Sequence, residues 1–265
     1  MKLTVTSWSF PACTLAEAWG IAQALGFQAM DLGLLHGAAL DRGRIIADPE
    51  GAAADLGGIT VSNLYWLFGA DIVQNAVSDP AAKARNEDEF AQVCRFARAA
   101  GCPSVFVLPG VTGPGAFDAA VAGLRGLVAV AQAHGILLTA EPHVGGLLAS
   151  PADTLRMLAA VPGLKLALDY AHFICMGFRQ DEIDVLARHA GHVHMRQARP
   201  GALQAKWGEG VLDVTAMVGV LRDAGYTGYL AVEYVHQAYM NTLFDDVLTE
   251  TVRMRDHLRR CGIAG

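Results

Sequence analysis

The stretch Lys165–His172, KLALDYAH, contains a short apolar run that ends on a carboxylate, Asp169, with a histidine three residues later. An uninterrupted apolar run is typical of a strand in a parallel sheet, which is buried on both faces. The turn-forming pair Pro162-Gly163 precedes the run and marks its start. The pattern therefore predicts a buried strand that presents Asp169 at its carboxyl end.

The same pattern occurs three more times along the chain. Strand-like runs at 136–141, 191–194 and 229–233 end on Glu141, His194 and Glu233. The four polar residues lie 25 to 39 residues apart, an interval that suits strand–helix–strand units of about 30 residues. One such residue could be an ordinary solvated charge, but four at equivalent positions of consecutive units indicate a shared function.

Strand-like and helix-like segments alternate along the whole chain. The strand candidates are 3–7, 29–32, 59–64, 104–108, 136–141, 166–168, 191–194 and 229–233. Strict alternation predicts a parallel sheet with right-handed crossovers, and eight units favour closure over an open sheet. No GxGxxG follows the first strand, so a dinucleotide-binding fold has no support. We expect an α/β fold, a (β/α)8 TIM barrel, as a single domain over residues 1–265.

The composition limits the classes of partner. Of the 265 residues, 53% are hydrophobic and only 17% are charged, which is typical of a compact protein with a large core. The net charge of −6 argues against a nucleic-acid partner. The five cysteines show no CxxC pairing and are typical of reduced thiols in a cytosolic protein.

Membrane and secretory segments are not predicted. The N-terminal residues MKLTVTSWSF lack the apolar core of a signal peptide. The most apolar long window, Ala119–Ala133, is interrupted by Arg125 and is too short to span a bilayer. We therefore expect a cytoplasmic protein without a membrane partner.

In a (β/α)8 barrel the carboxyl ends of all eight strands meet at one face, where active sites lie. Glu141, Asp169, His194 and Glu233 would then point into one cup. Three carboxylates and an imidazole suit a divalent metal ion, with Mn²⁺ expected first and Mg²⁺, Co²⁺ or Zn²⁺ as alternatives. Without a cation between them, the three anionic side chains would repel one another.

Four motifs include predicted strand ends: TAEPH at 139–143, LDYAH at 168–172, HVHMRQ at 192–197 and GYTGYLAVE at 225–233. A fifth motif, WGEG at 207–210, lies in the loop predicted after the seventh strand. This set resembles the sugar phosphate isomerase/epimerase family of the xylose-isomerase-like TIM barrel superfamily. That superfamily includes hydroxypyruvate isomerases, ketose 3-epimerases, dehydratases of inosose and 3-dehydroshikimate, and endonuclease IV. The resemblance implies that the four strand-end residues are metal ligands and that His172 contacts substrate oxygens. It also implies a homodimer or homotetramer.

The residue types suit proton abstraction next to a metal-bound carbonyl. The ion would acidify the C–H of an α-hydroxy ketone, and Glu141 and Glu233 are the candidate catalytic bases. We expect a divalent-metal-dependent isomerase or epimerase, in carbohydrate metabolism, that acts on a small polyhydroxylated ketone or keto acid. The alternative is a lyase on the same site, a dehydratase of the inosose or 3-dehydroshikimate type.

Two other functions are weaker alternatives. A nuclease of the endonuclease IV type needs further histidine ligands from the third and fourth units, and Leu64–Phe68 and Leu108–Gly110 offer none. A non-catalytic accessory barrel would have no need for all four ligand positions.

Further residues are candidates for substrate binding. His143 could donate to substrate, or form a hydrogen bond behind the site. Arg196 lies two residues past His194, so strand alternation points it into the same cup, where it would bind an anionic oxygen. A structural salt bridge is the alternative for Arg196.

Aromatic residues follow two of the predicted strands. Trp8 and Trp66 lie after strands one and three, where an aromatic wall for a sugar-like ring would be, although core packing explains them equally well. Arg199, Lys206 and Glu209 are expected on a loop after the seventh strand.

Overall fold

Eight parallel strands close into a barrel in the computed structural model, which describes residues 1–238, 242–243 and 246–264. The barrel strands are β1 (Lys2–Thr6), β2 (Met30–Leu32), β3 (Val61–Tyr65), β4 (Ser104–Val107), β5 (Leu137–Ala140), β6 (Lys165–Asp169), β7 (Ala190–Met195) and β10 (Tyr229–Val232). Each strand pairs with the next barrel strand along the chain, and β10 pairs with β1 to close the ring. The predicted (β/α)8 barrel is confirmed.

Helices connect the strands and surround them. They are α1 (Leu15–Ala24), α2 (Arg42–Ala47), α3 (Pro49–Ala54), α4 (Lys83–Ala99), α5 (Ala116–Ala133), α6 (Pro151–Ala160), α7 (Tyr170–Cys175), α8 (Gln180–Ile183), α9 (Val214–Asp223) and α10 (Val247–Arg260). Helix α1 begins with the capping box of Thr14 and Glu17 that their spacing predicts. Helix α6 begins with a Ser150 cap followed by Pro151, whose fixed φ suits the first turn.

The segment after β7 differs from the predicted loop. It forms a hairpin of β8 (Gln197–Arg199) and β9 (Ala202–Ala205), which packs against α7. A second hairpin, β11 (His236–Gln237) with β12 (Thr242–Leu243), follows β10. Both hairpins follow barrel strands at their carboxyl ends, so they add walls around that face of the barrel.

Strand β6 shows how the sequence builds two core layers. Leu166 and Leu168 belong to the large core cluster between strands and helices. Ala167, on the other face of the strand, belongs to a small inner cluster with Trp8 and Phe106. Because strand side chains alternate, Asp169 continues the inward row and reaches the carboxyl-end face.

Helix α5 is long and apolar enough, by length and composition alone, to cross a membrane. It is three residues longer than the apolar window of the sequence, so the length argument against a span does not hold. Its apolar face is instead explained by packing, because Ala120, Leu124, Leu127 and Ala131 are buried in the barrel's outer core.

Replacing Leu168 by Ala tests the outer core layer. Leu168 is 0% exposed, so its loss removes buried apolar contacts and leaves a cavity. We expect the free energy of unfolding to fall by about 2–5 kcal/mol in urea titrations. Leu248→Ala is the matched control, because Leu248 is 49% exposed on α10, and its change should stay within about 0.5 kcal/mol. An equal fall in the free energy of unfolding in the two variants would contradict the placement of Leu168 in the outer core.

Candidate metal centre and active site

The four predicted ligands meet at the carboxyl end of the barrel. One ligand atom from each of Glu141, Asp169, His194 and Glu233 lies within 4.8 Å of the others, and all four residues are buried. His194 Nδ1 lies 2.9 Å from Glu141 Oε1 and 3.3 Å from Glu233 Oε2. The structure therefore brings together the set that the strand ends predicted. We call it the ligand cup.

Backbone structure fixes the direction of the carboxylates. Asp169 ends β6 and caps α7, because its Oδ1 accepts a hydrogen bond from the Ala171 N–H at 2.8 Å. Its Oδ2 is left facing the cup. Glu141 and Glu233 directly follow β5 and β10, and their N–H groups still bond to the neighbouring strands at 3.1 Å. Each glutamate is thus held as a one-residue extension of the barrel.

The hydrogen bonding of the Glu233 carboxylate indicates that the ligand cup suits a cation. Its Oε1 accepts a hydrogen bond from Trp8 Nε1 at 2.7 Å. Its Oε2 is buried and has no hydrogen-bond partner among the described residues, although Arg196 Nη2 lies 3.2 Å away. A buried carboxylate oxygen without a hydrogen bond is costly, and a metal ion would satisfy it. Three carboxylates and one imidazole are a donor set that divalent ions accept.

Asp31 supports the cup from inside the barrel, and sequence reasoning missed it. The carboxylate accepts hydrogen bonds from His192 Nε2 at 2.6 Å and Ser62 Oγ at 2.5 Å. Its Oδ2 also lies 3.5 Å from Nε2 of His194, on the side of the ring that faces away from the cup. His194 Nε2 is buried and has no hydrogen-bond partner among the described residues, so the contact with Asp31 is an ion pair whose charge favours this ring orientation. The signals were a charge in the middle of strand β2 and the alternation His192-Val193-His194.

Charges in this cluster shift the pKa values of its members. Burial opposes ionisation of Asp31, but His192 and His194 outweigh it and lower the pKa of Asp31 to about 2. Burial likewise acts to lower the pKa of His194, but Glu233, Asp31 and Glu141 raise it well above its usual value. The imidazole is therefore surrounded by more negative charge than it can balance.

The glutamate and aspartate ligands respond differently. Burial acts to raise the pKa of Glu141, but the hydrogen bond and charge of His194 hold it below its usual value. Burial raises the pKa of Asp169, and nearby Arg196 only partly offsets that effect. Of these two ligands, Glu141 is the one whose surroundings favour the ionised form.

Arg196 points into the cup, as strand alternation predicted. Its side chain is buried, and Nη2 lies 2.5 Å from Asp169 Oδ2 and 3.2 Å from Glu233 Oε2. The guanidinium thus forms salt bridges with two of the ligand carboxylates. Burial acts to lower its pKa, but the charges of Asp169, Glu233 and Glu141 outweigh burial and hold the pKa above its usual range.

His143 and His172 form one side of the cavity above the cup. Their ring centroids lie 4.2 Å apart. His172 Nδ1 accepts a hydrogen bond from the Val144 N–H at 3.1 Å, so its Nε2 faces Asp169 at 3.6 Å. Burial, with the charges of His143 and Arg196, lowers the pKa of His172 well below its usual value. His172 is therefore a neutral hydrogen-bonding group.

The opposite side of the cavity is aromatic. Tyr65 stacks on Phe106 with ring centroids 4.6 Å apart, and Trp8 packs against both. Gly33 leaves room for the indole, because a Cβ there would lie 3.0 Å from the Trp8 ring. The cavity has a volume of about 200 Å³ between this aromatic side and the histidines. Trp8 is where the sequence predicted it, whereas Tyr65 and Phe106 were missed.

Trp66 does not lie in the cavity wall, contrary to the sequence prediction. It is fully buried on the outer side of β3, and its Nε1 donates a hydrogen bond to Glu89 Oε1 on α4 at 2.8 Å. Arg42 lies over its ring at 5.2 Å. Because neighbouring strand residues face opposite sides, Tyr65 points inward and Trp66 outward.

The two hairpins complete the rim of the cavity. Leu203 from β9 and Gln237 from β11 line it. Arg199, Lys206 and Glu209 are exposed and lie outside the cavity wall. The salt bridges of Arg196 therefore go to the cup and not to Glu209.

Asp31→Asn tests the support behind His194. Breaking the buried pair with His192 should lower the free energy of unfolding by about 3–5 kcal/mol at pH 7. The pKa of Asp31 is about 2 in the folded protein against an ordinary 3.8, so its stabilisation is complete above about pH 4 and is lost as the pH falls toward 2. Urea titrations should therefore show the gap between wild type and variant narrowing below pH 4.

The control for this experiment is Asp223→Asn, at an exposed position on α9, which should change stability by less than about 0.5 kcal/mol at any pH. A gap for Asp31→Asn that stays constant from pH 7 to pH 3 would contradict the role assigned to the ionised carboxylate.

Comparison with known proteins agrees with this geometry. The xylose isomerase-like TIM barrel family model matches residues 19–261. A putative hydroxypyruvate isomerase from Mus musculus is 30% identical over 173 residues, which cover 58% of this chain and 62% of that protein.

Solved structures show the same fold over almost the whole chain. An L-ribulose 3-epimerase aligns with a TM-score of 0.74 and 21% identity, covering 98% of this chain and 94% of its own. A 3-keto-D-glucoside 4-epimerase from E. coli aligns with a TM-score of 0.72 and 19% identity, covering 98% and 100%. The family resemblance of the strand-end motifs is confirmed: the chain belongs to the xylose isomerase-like TIM barrel family.

Proposed function

We propose that the protein is a divalent-metal-dependent isomerase or epimerase of a small polyhydroxylated ketone or keto acid. The observation that carries this proposal is the pair of buried glutamates, Glu141 and Glu233, which both lie within 3.3 Å of His194 Nδ1 in the ligand cup. The mouse relative is named a putative hydroxypyruvate isomerase, and the similar structures are sugar epimerases, which supports the same reaction class.

Glu141, Asp169, His194 and Glu233 would hold the metal ion, whose bound form supplies positive charge that acidifies a C–H beside a carbonyl. We propose Mn²⁺ as the ion, because three of the four donors are carboxylates. The cytoplasmic location and the homodimer or homotetramer stay predictions from the sequence.

The two glutamates are the proposed bases. Glu233 has one oxygen anchored, because Trp8 donates to its Oε1. Glu141 is positioned by its backbone, whose N–H still bonds to the neighbouring strand. A carboxylate takes the proton from the carbon beside the carbonyl. Return of a proton to the opposite face of the same carbon gives an epimer. Return to the neighbouring carbon, with the hydroxyl proton moving from one oxygen to the other, gives an isomer. The pKa of Glu141 lies below its usual value, so the carboxylate is in the ionised form that a base requires.

The cavity walls suit a substrate with one polar and one less polar side. His172 and His143 face the substrate's hydroxyl and carbonyl oxygens on one side. Trp8, with the Tyr65–Phe106 stack, covers the C–H side and excludes water from the reacting carbon. Arg196 reaches the cavity from the cup and would bind an anionic oxygen, which favours a keto acid.

Solvent exchange of substrate hydrogen tests the reaction class. Manganese-loaded protein is incubated in D₂O with hydroxypyruvate, L-ribulose or D-tagatose, and products are followed by NMR. We expect conversion of at least one of them with deuterium at the carbon beside the carbonyl. Glu141→Gln and Glu233→Gln should each lower kcat by about 10²–10⁴-fold, and Glu209→Gln, on the exposed rim, should not.

Unchanged turnover in both glutamine variants would exclude the proposed mechanism. Loss of water from a substrate with a leaving group β to the acidified carbon would assign the lyase alternative instead.

Asp169→Asn tests the metal dependence separately. Asparagine keeps the cap of α7, since its side-chain oxygen can still accept the Ala171 N–H, but it removes one anionic ligand. We expect Mn²⁺ affinity, measured by titration calorimetry, to fall by at least about tenfold. The metal-free variant should melt at a lower temperature than wild type, because the buried Arg196 loses its nearest carboxylate charge. Full activity of wild type in excess chelator would contradict the metal centre.

A further inference from the structure

The guanidinium of Arg196 occupies the oxygen atoms that a metal ion in the cup would use. Asp169 Oδ1 is committed to the α7 cap, so Oδ2 is its free ligand atom, and Arg196 Nη2 lies 2.5 Å from that atom. Glu233 Oε1 is committed to Trp8, so Oε2 is its free ligand atom, and the same nitrogen lies 3.2 Å from it. One nitrogen therefore contacts the free oxygens of two ligands at once.

The charge of the cup explains why a guanidinium lies there. Three buried carboxylates need positive charge nearby, and arginine is the side chain that stays protonated in any environment. Arg196 is only 4% exposed, and its Nε is buried without a hydrogen-bond partner among the described residues. Its Nη2 also lies 3.3 Å from His172 Nε2. The charge of the buried guanidinium is therefore compensated by the carboxylates of the cup, and its hydrogen bonding is only partly satisfied.

We propose that Arg196 is a resident counter-cation of the ligand cup, which a divalent ion must displace from Asp169 Oδ2 and Glu233 Oε2. The proposal rests on the metal centre of the proposed function. The displaced side chain has somewhere to go, because Arg196 also lines the cavity above the cup. Because the ion must displace Arg196, the metal affinity is lower than four ligands alone would give. In the metal-free protein, the pairing of Arg196 with the two carboxylates stabilises the fold.

Mn²⁺ titration calorimetry on chelator-treated protein tests this proposal. We expect Arg196→Gln to bind Mn²⁺ about tenfold tighter than wild type or more, because a positive charge beside the ion is removed. Arg196→Lys keeps the charge and should stay within about threefold of wild type. Arg199→Gln, at an exposed position three residues away, is the control for losing an arginine and should match wild type.

Thermal melting provides a second readout that does not depend on activity. Without metal, Arg196→Gln should melt at a lower temperature than wild type, because Asp169 and Glu233 lose their counter-charge. Saturating Mn²⁺ should raise its melting temperature by more than it raises that of wild type.

If Arg196→Gln does not fold without metal, it is purified in Mn²⁺ and the release of the ion into excess chelator is timed. Release slower than from wild type loaded in the same way supports the displacement. Release at an equal or faster rate contradicts it.

The outcomes separate this inference from the proposed function. Equal or weaker Mn²⁺ binding by Arg196→Gln overturns the counter-cation and leaves the metal-dependent function standing. Mn²⁺ binding by Arg196→Gln but not by wild type supports the counter-cation role of Arg196. It also excludes the metal from the reaction of the wild-type protein. Binding by neither protein overturns both.

Discussion

The fold must stabilise three carboxylates and one imidazole in a single buried cup, and much of the structure around it serves that requirement. Ionised groups taken out of water are costly unless opposite charges and hydrogen bonds surround them. Here Trp8 donates to Glu233, the first turn of α7 donates to Asp169, and Arg196 lies between the two acids. Each partner comes from a different part of the chain, so the cup exists only when the barrel has closed.

The interior of the barrel continues the same polar structure below the cup. Asp31 on β2 joins His192 and His194 on β7, and Ser62 on β3 donates to the same carboxylate. An apolar filling at these positions would remove the charge that favours this orientation of the His194 ring. Carboxylates on both sides of the ring instead leave Nδ1 directed at Glu141 and Glu233, and the imidazole is thus oriented by elements that contact no substrate.

Much of the fold could be predicted from the sequence because short apolar runs, capping residues and helix stops recur in eight units. The four ligands were readable for the same reason, since each ends a run such as that of β6. The role of Asp31 could not be predicted, although a charge inside β2 marks the residue, because its partners His192 and Ser62 come from other strands and become neighbours only through barrel closure. Trp66 was predicted in the cavity wall, but Tyr65 lies there, because neighbouring strand residues face opposite sides of the sheet. A continuous apolar run does not show which of two neighbouring residues faces inward, and a shift of one residue reverses the assignment.

Anomalous diffraction from crystals soaked in Mn²⁺ tests the central claim most directly, because it locates the ion without relying on turnover. The account predicts one strong peak bonded by Glu141, Asp169, His194 and Glu233, with the side chain of Arg196 moved away from Asp169 Oδ2. An anomalous peak elsewhere in the barrel would contradict the account. The absence of a peak in the ligand cup, together with substrate turnover in excess chelator, would also contradict it.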